Sequence, residues 1–428
     1  MCVLGVAWGS LSAAVARADE APYARAYLDR LLERVDRIGS DMEALTSAAE
    51  VSAKALDEGA GFGVRGDVGM AQELSQRAGA MMGYDGRRGE AGDVVLYVLG
   101  LPSRAVEARE MLAAQFRDAA ELKAGGSVVI GLTSRARLRS YGLLDEAQQA
   151  CTVLIDNHAS AADGRLTDAA GRTVAPMETV LNAVSAWAYE CELFAALTRR
   201  GRVPVVRQSF EIDTRRSRWS RYGSQRFHHD RWLDPIGPGD LGRAYLDGLK
   251  RVLRDIGTAS WRNLSRSASK VEQVIRSDAV VWLRPGGRYL PHHVGTDYAG
   301  DPGLFRLLTH DGSDPSLASP GQADYLLAVG RYETAGSWEW GEPELLRRAG
   351  QGVTWIVNGY NTQRADLKRN ERLIDLWGPV GDCVVKVADY DTRLGPVSSV
   401  TAEAVLWMIA VEVQGRLSSG DDEAALVR

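Results

Sequence analysis

The chain has 428 residues, 45% of them hydrophobic and 25% charged, with a formal net charge of −5. This length exceeds what one hydrophobic core usually serves, so it predicts two domains of an ordinary globular protein. The acidic balance argues against nucleic acid as the main partner. Beyond the N-terminus no stretch reaches the roughly 18 apolar residues that a membrane span needs.

The N-terminus predicts a signal peptide over residues 1–18. Residues 2–16 are apolar or small, and Ala16-Arg17-Ala18 has the small-x-small form that signal peptidase accepts. We therefore expect an exported protein, periplasmic or secreted, with no membrane partner once the signal is removed. Because no Lys or Arg precedes Arg17, a cytoplasmic protein with a short apolar N-terminal helix stays open.

The first half of the chain alternates helical and strand patterns. Residues 93–99 and 127–132 are continuous apolar runs, which are typical of strands buried on both faces. Strands separated by helices predict βαβ units and a parallel sheet with helices on both faces. The predicted elements are helix 23–58, strand 61–64, helix 70–78, strand 93–99, helix 103–123, strands 127–132 and 152–156, and helix 179–199.

The second half repeats this order, which predicts two copies of one fold. The run Arg-Ala-Tyr-Leu-Asp occurs twice, at an offset of 218 residues (243 − 25). The predicted elements are helices 240–252 and 265–276, strands 279–283, 324–329, 352–357 and 384–387, and helix 400–416. The paired landmarks are Arg25–Asp29 with Arg243–Asp247, Ile38-Gly39 with Ile256-Gly257, Cys151–Asp156 with Cys383–Ala388, and Pro176–Val180 with Pro396–Val400.

These patterns predict an α/β protein of two tandem αβα sandwich domains, each with a mainly parallel five-stranded sheet and flavodoxin-like layering. We expect the two domains to pair within the chain, and a homodimer is a further option. The segment between them is rich in arginine and aromatic residues, which fits either an anion-binding or interdomain arm, or a solvated linker whose arginines pair with local acids. The predicted boundaries are signal 1–18, first domain 19–206, connector 207–239, second domain 240–417 and polar tail 418–428.

The first copy resembles the sugar isomerase (SIS) family. The resemblance rests on a long helical pair before a Gly-rich loop at 55–79, then Val153–Asn157, Pro176–Thr179 opening a long helix, and Arg200–Pro204; the second copy is looser. It implies phosphosugar-binding sandwiches in tandem, with the ligand at the carboxyl ends of parallel strands. The implied function is binding of a sugar or sugar phosphate, with aldose–ketose isomerisation as one expectation. The alternative is an exported SIS-derived binding or structural module without catalysis.

The resemblance also implies phosphate-binding loops, which this sequence has largely lost. The family's Gly-x-Gly-x-Ser and Ser-x-Ser-Gly loops correspond to 63–69 and 99–104, where a single serine remains. Arginines in these loops could replace the hydroxyls, whereas Glu178 would oppose a phosphate. Tyr332, Trp338 and Trp340 fit either a sugar-stacking platform or aromatic packing at the domain interface. The candidate ligand-binding residues are Arg65, Ser103, Arg104, Thr179, Thr334, Ser337, Ser398 and Ser399.

An isomerase needs a base that moves a proton between neighbouring carbons. The candidates are Glu190 or Glu192, Glu403 or Glu412, and His229, none of them fixed by a motif. We expect no metal and no cofactor.

The sequence offers two other kinds of site, a metal site and a dinucleotide site, with weaker patterns. The pairs His228-His229 and His292-His293 match no zinc spacing. Glycines at 61–69 offer a dinucleotide-binding alternative, but the acid it would need, Glu90, lies in a Gly/Arg turn.

Overall fold

The computed structural model describes most of both predicted domains. The described residues are 21–83, 89–99, 105–160, 175–209, 211–213, 217–223, 225–286, 290, 294, 303–308, 320–330, 349–358 and 367–420. The predicted signal peptide lies outside them. No helix within these ranges is long and apolar enough to cross a membrane.

The first repeat is a four-stranded parallel sheet covered by helices. The middle strands are the two apolar runs that the sequence singles out, and their side chains are almost all buried. The strand order is β1-β2-β3-β4. The elements are α1 (Pro22–Ser40), α2 (Met42–Asp57), β1 (Phe62–Gly66), α3 (Val68–Gln76), β2 (Val94–Val98), α4 (Ala105–Ala124), β3 (Val128–Thr133), α5 (Arg135–Tyr141), α6 (Leu144–Ala150), β4 (Val153–Asp156) and α7 (Glu178–Arg199).

The second repeat has a five-stranded parallel sheet in the order β6-β5-β7-β8-β9. A short helix of the connector, α8 (Ser217–Tyr222), precedes it. A π-helical turn over Ile256–Ser260 joins its first two helices. The elements are α9 (Asp240–Asp255), α10 (Trp261–Arg276), β5 (Val281–Pro285), β6 (Arg306–Leu307), β7 (Tyr325–Gly330), β8 (Val353–Val357), β9 (Glu371–Asp375), β10 (Cys383–Val385), β11 (Leu394–Pro396) and α11 (Ser398–Gly420).

The predicted class of two parallel α/β repeats is confirmed, with corrections in the strands. The first sheet has four described strands, where five were expected. The predicted strand 384–387 is wrong as a sheet member, because β10 pairs antiparallel with β11 in a separate ribbon. The fifth parallel strand is β9, whose Glu371 and Arg372 made it look like a loop. The helical region predicted over 23–58 consists of two helices that meet at Asp41, as the helical pair of the resemblance implies.

The run Leu-Ile-Asp is the sequence match that aligns the last parallel strands of the two repeats. It ends β4 as Leu154–Asp156 and β9 as Leu373–Asp375, an offset of 219 residues (373 − 154). The match of Cys151 with Cys383 is therefore wrong, because Cys383 begins β10. A short apolar run after a cysteine was too weak a pattern to separate an edge strand from a nearby hairpin.

The two repeats exchange their first helices. Helix α1 packs against α11 of the second repeat, α9 packs against α7 of the first, and α1 and α9 also contact each other. The second helices pack within their own repeats: α2 packs on α7, and α10 packs on α11. The halves are therefore joined by reciprocal packing, in agreement with the expected pairing of domains within the chain.

A buried glutamate caps each exchanged helix. Glu412 Oε2 on α11 accepts hydrogen bonds from Tyr23 N at 3.0 Å and Ala24 N at 3.1 Å, at the start of α1. Its counterpart Glu192 on α7 accepts from Gly239 N at 2.8 Å and Gly242 N at 2.6 Å, at the start of α9. These N–H groups have no partner within their own helices, so each cap comes from the other repeat.

The two repeated landmarks meet where the exchanged helices cross. A Cβ atom at Gly257 would lie 2.5 Å from Leu28 Cδ2, and one at Gly39 would lie 3.5 Å from Leu246 Cδ1. Leu28 and Leu246 are the same position of the repeated run, and each faces the other repeat's glycine. The Arg25 guanidinium, from the first run, lies 3.8 Å above the ring of Trp261. The repeated run is thus a packing motif at a local twofold crossing.

Removing either cap should destabilise the whole chain. We expect Glu192→Ala and Glu412→Ala each to lower the free energy of unfolding by about 1–3 kcal/mol, because each removes the carboxylate that accepts from two N–H groups at a helix start. Urea denaturation followed by circular dichroism measures this change. Glu121→Ala, on the exposed face of α4, is the matched control and should stay within about 0.5 kcal/mol of the parent. Equal stability of all three variants would contradict the capping role.

Candidate functional site

The strands of both repeats end in the same carboxylate turn. Asp156 Oδ1 accepts hydrogen bonds from His158 N at 2.9 Å and Arg135 N at 3.1 Å. Asp375 Oδ1 accepts from Trp377 N at 2.8 Å. His158 and Trp377 have φ angles of 57° and 53°, a left-handed backbone that the carboxylate two residues earlier stabilises. Each repeat therefore holds one ring side chain at the carboxyl edge of its sheet.

These two rings contact equivalent points of the helical framework. His158 Nε2 lies 3.5 Å from Asp41 Oδ2, at the break between α1 and α2. Trp377 Nε1 donates to Ser260 Oγ at 3.0 Å, at the turn between α9 and α10. The strand-end turn and the helix break thus form one edge of a polar site in each repeat, with imidazole in the first and indole in the second.

The N-terminus of α7 already holds a negative charge. Glu178 in its first turn is buried, and its carboxylate forms an ion pair with Arg137 of α5. Burial raises the pKa of Glu178, and the neighbouring Arg137 opposes that rise. A carboxylate here satisfies the positive end of the helix dipole. It therefore opposes a phosphate at this point, as expected from the sequence.

A carboxylate also caps the N-terminus of α11, but it belongs to Asp382, which lies outside that helix. Asp382 accepts hydrogen bonds from Ser398 N at 2.8 Å and Ser398 Oγ at 2.7 Å. Arg77, which follows α3 of the first repeat, forms an ion pair with Asp382 and donates to Ser398 Oγ at 2.9 Å. The candidate Ser398 is thus bound within a buried cluster that joins the two repeats.

The candidates Thr179 and Ser399 share an unusual environment. They occupy matching positions at the start of α7 and α11, at an offset of 220 residues (399 − 179). Their side chains are 2% and 1% exposed, and neither hydroxyl has a hydrogen-bond partner in the described part of the chain. A buried hydroxyl without a partner costs free energy, so both positions are places where a ligand or water hydrogen bond would stabilise the protein.

The other candidate ligand residues divide into two groups. Arg65 is engaged within the first repeat: Nη1 donates to both carboxylate oxygens of Asp118, at 2.8 and 2.9 Å, and Nη2 donates to Gly89 O at 2.8 Å. Ser103, Arg104, Thr334 and Ser337 lie outside the described residues, as do Tyr332, Trp338 and Trp340.

The candidate bases are held by the fold. Glu192 and Glu412 are the two helix caps. Glu403 Oε1 accepts from Trp407 Nε1 at 3.3 Å within α11. Glu190 is buried and accepts from Met81 N at 2.7 Å. His229 is an exposed connector residue. The structure does not bring these side chains together at the strand ends.

The connector docks on the second repeat through a buried histidine. Arg218 Nη2 lies 3.3 Å from His228 Nε2 and can only donate, so Nε2 accepts and the ring proton is on Nδ1, 3.3 Å from Asp230 Oδ1. Burial and Arg218 lower the pKa of His228, which keeps the ring neutral. Tyr390 Oη accepts from Arg218 and donates to Pro204 O at 2.8 Å.

The arginines of the connector pair with acids close to them. Arg218 and Arg231 both contact the carboxylate of Asp391, at 2.7 and 2.6 Å, and Arg221 contacts Asp230 at 2.6 Å. Arg221 therefore pairs with a local acid, as in the linker interpretation, whereas Arg218 and Arg231 join the connector to the second repeat, as in the interdomain-arm interpretation.

Comparison with known proteins yields structural neighbours only. No family model and no curated protein matches the chain. The C-terminal domain of glucosamine-fructose-6-phosphate aminotransferase from Francisella tularensis is 8% identical, with a TM-score of 0.49, over 92% of this chain and 96% of that one. A protein from Silicibacter pomeroyi assigned as a phosphosugar isomerase is 14% identical, with a TM-score of 0.44, over 94% of this chain and 99% of that one.

A third neighbour, from Clostridium novyi, is assigned as a tagatose-6-phosphate ketose/aldose isomerase; it is 10% identical, with a TM-score of 0.42, over 92% of this chain and 89% of that one. With identities of 14% or less and TM-scores below 0.5, these likenesses do not establish a family or a function for this chain.

Sequence reasoning missed Asp156, Arg137 and Asp382, which shape the two strand-end sites. The repeated Leu-Ile-Asp could have found the first of these, because an acid at the end of a buried strand is placed by that strand. The pairing of Arg137 with Glu178 joins residues 41 positions apart (178 − 137), and no local pattern announces it.

The pH dependence of stability should show whether Glu190 is a buried structural residue or an accessible base. Burial raises the pKa of Glu190 to about 8, and the nearby Glu73 adds to the rise. Because folding raises this pKa, the protonated side chain stabilises the folded protein. This contribution is complete below the pKa of the unfolded chain, near 4.5, and it is lost as the pH rises toward 8. We expect Glu190→Gln to increase the free energy of unfolding by about 1–3 kcal/mol at pH 7.5 and to change it little at pH 4.5. Denaturation at both pH values measures this; an equal effect at both would contradict it.

Proposed function

We propose that this chain is a carbohydrate-derivative binding protein of the SIS type that takes an uncharged sugar derivative at its strand ends and does not isomerise it. The observation that carries the proposal is the carboxylate at the start of each closing helix, Glu178 at α7 and Asp382 at α11. A phosphate brought to either helix end would meet a negative charge that already satisfies the helix dipole.

The polar groups around these ends suit hydroxyl groups of a ligand. Thr179 and Ser399 each lack a hydrogen-bond partner in the described part of the chain. A sugar hydroxyl can donate and accept at once, so it can complete either side chain without bringing in a charge. In the first repeat, Asp156 and His158 line the same carboxyl edge, and both are partly exposed.

We infer binding without isomerisation because the candidate acids already form hydrogen bonds within the protein. A base must reach a carbon-bound proton of the ligand, directly or through one water. Glu190, Glu192 and Glu412 are instead bound to backbone N–H groups inside the helical framework. Glu403 is buried and bonds to Trp407 of its own helix.

We also propose export, on the signal-like sequence of residues 1–18. N-terminal sequencing of the protein purified from its natural source tests this. A mature chain that begins at Asp19 supports export, and one that begins at Met1 overturns it.

The sugar site can be tested with substitutions that remove only a hydroxyl. We expect hexoses and N-acetylated amino sugars, which are uncharged, to raise the melting temperature of the parent, and hexose phosphates to raise it no more than the matching sugars do. Thr179→Val keeps the shape of the side chain, so without ligand it should be as stable as the parent or slightly more stable. Its sugar-induced shift should fall by at least half if the ligand binds in the first repeat. Ser399→Ala makes the same comparison for the second repeat.

Two results would overturn the proposed function. One is the absence of stabilisation by any neutral sugar, N-acetylated amino sugars included, which would leave a structural module. The other is turnover of a hexose phosphate to its ketose or aldose partner, measured by coupled assay or NMR. Retention of the full sugar-induced shift in both hydroxyl variants would overturn the assignment of Thr179 and Ser399.

A further inference from the structure

A cleft of about 760 Å³ lies along the edge of the second sheet, between α10 and β9. It runs from Ser260 and Trp377 at the carboxyl end of β9 to Gln273 near the end of α10. Although the chain is acidic overall, this cleft is rich in cations. Its positively charged lining residues are Arg262, Arg266, Lys270, Arg369 and Arg372, and its acids are Glu371 and Asp375.

Three of these cations form one stripe on α10. Arg262, Arg266 and Lys270 follow at intervals of four residues, which places them on one helix face over about 12 Å. Like charges at this spacing destabilise a helix. Neither Arg262 nor Arg266 makes an ion pair or side-chain hydrogen bond within the described part of the chain, and both are exposed to the cleft. The stripe therefore carries charge that the protein does not neutralise there.

The opposite wall adds positive charge from β9. Arg369 lies just before the strand, and Arg372 lies within it. Burial, with a contribution from Arg372, lowers the pKa of Lys270. The two acids are engaged elsewhere: Glu371 accepts from Trp355 Nε1 at 3.2 Å, and Asp375 Oδ1 accepts from Trp377 N at 2.8 Å.

The first repeat provides an internal comparison, because the fold is the same and the charges are missing. Aligned on the repeated Leu-Ile-Asp, with an offset of 219 residues, the five cations of the second repeat fall on residues that carry no positive charge. The scaffold therefore does not require these cations. The corresponding pairs are Arg262 with Glu43, Arg266 with Ser47, Lys270 with Val51, Arg369 with Ala150 and Arg372 with Val153.

We propose that this cleft binds a small molecule with an oligophosphate chain, whose phosphates lie along Arg262, Arg266 and Lys270. Guanidinium groups bind phosphate oxygens in pairs, and a stripe of about 12 Å matches several linked phosphates better than one. Trp377 closes the carboxyl end of the cleft with 39% of its surface exposed and its Nε1 bound to Ser260. An aromatic ring on the ligand would stack there. None of its lining residues belongs to the helix starts of the proposed sugar sites, and Ser260 and Trp377 are shared with the strand-end edge of the second repeat.

Isothermal titration calorimetry on the full chain, in low and in physiological salt, tests the proposal. We expect inorganic triphosphate to bind at least ten-fold more tightly than inorganic phosphate. Adenosine triphosphate distinguishes the two sources of the oligophosphate: tighter binding than inorganic triphosphate, lost in Trp377→Ala, indicates a nucleotide, and equal binding indicates an oligophosphate without a ring. Both results support the site.

Charge reversal locates the binding. Arg262→Glu combined with Arg266→Glu should weaken triphosphate binding at least ten-fold while the circular dichroism spectrum and melting temperature stay close to those of the parent. Arg251→Glu combined with Arg254→Glu, two exposed arginines on α9 outside the cleft, reverses the same number of charges and is the matched control, which should leave the affinity within two-fold.

Three results would overturn the inference. No detectable binding of triphosphate or adenosine triphosphate at millimolar concentration would do so. An equal loss of affinity in the double variant Arg251→Glu, Arg254→Glu would show a general effect of net charge. Tighter binding of a single-stranded oligonucleotide than of triphosphate at equal phosphate concentration would indicate a nucleic-acid surface instead.

Discussion

The exchange of first helices, fixed by two buried glutamates, is the constraint on which the rest of the structure depends. Glu192 and Glu412 each accept two backbone N–H groups at the start of a helix from the other repeat. Moving a carboxylate out of water is costly, and burial raises the pKa of Glu192 while the N–H groups of Gly242 and Gly239 oppose that rise. The cost is offset only when both repeats are folded and docked. Neither repeat can complete its own framework alone, so the chain should fold as one cooperative unit.

This constraint explains which parts of the duplicated sequence stayed alike. The repeated Arg-Ala-Tyr-Leu-Asp lies where α1 and α9 cross, and each copy's leucine packs against the other copy's glycine. A change on one side would have to be matched across the crossing, since close-packed interiors tolerate little change of volume. The strand ends face no such requirement. They have diverged to imidazole in one repeat and indole in the other, on the same Leu-Ile-Asp turn.

The sequence predicted the buried elements and the edge strands β1 and β4, but it missed the edge strands β6 and β9 of the second sheet. β2, β3 and α7 carry long apolar patterns because they are buried on several sides, so composition alone indicates them. β9 is an edge strand with Glu371 and Arg372 at its start, and its pattern resembles that of a loop. The roles of the acids could not be predicted at all. Glu192 looks like a candidate base in sequence, and it is a helix cap because residues 239–242 reach it from the other repeat.

The two repeats differ more in their distribution of charge than in their folds. At both closing helices an internal carboxylate occupies the helix start, with an arginine beside it, so these ends are neutralised from within. Along α10 the reverse holds, because Arg262 and Arg266 face a cleft in which the described acids are already engaged. The two halves share a parallel α/β layout, and the positions in the first half that correspond to the cationic stripe carry no positive charge. Since like charges on adjacent turns cost helix stability, the stripe is best explained by an anion that the second repeat binds and the first does not.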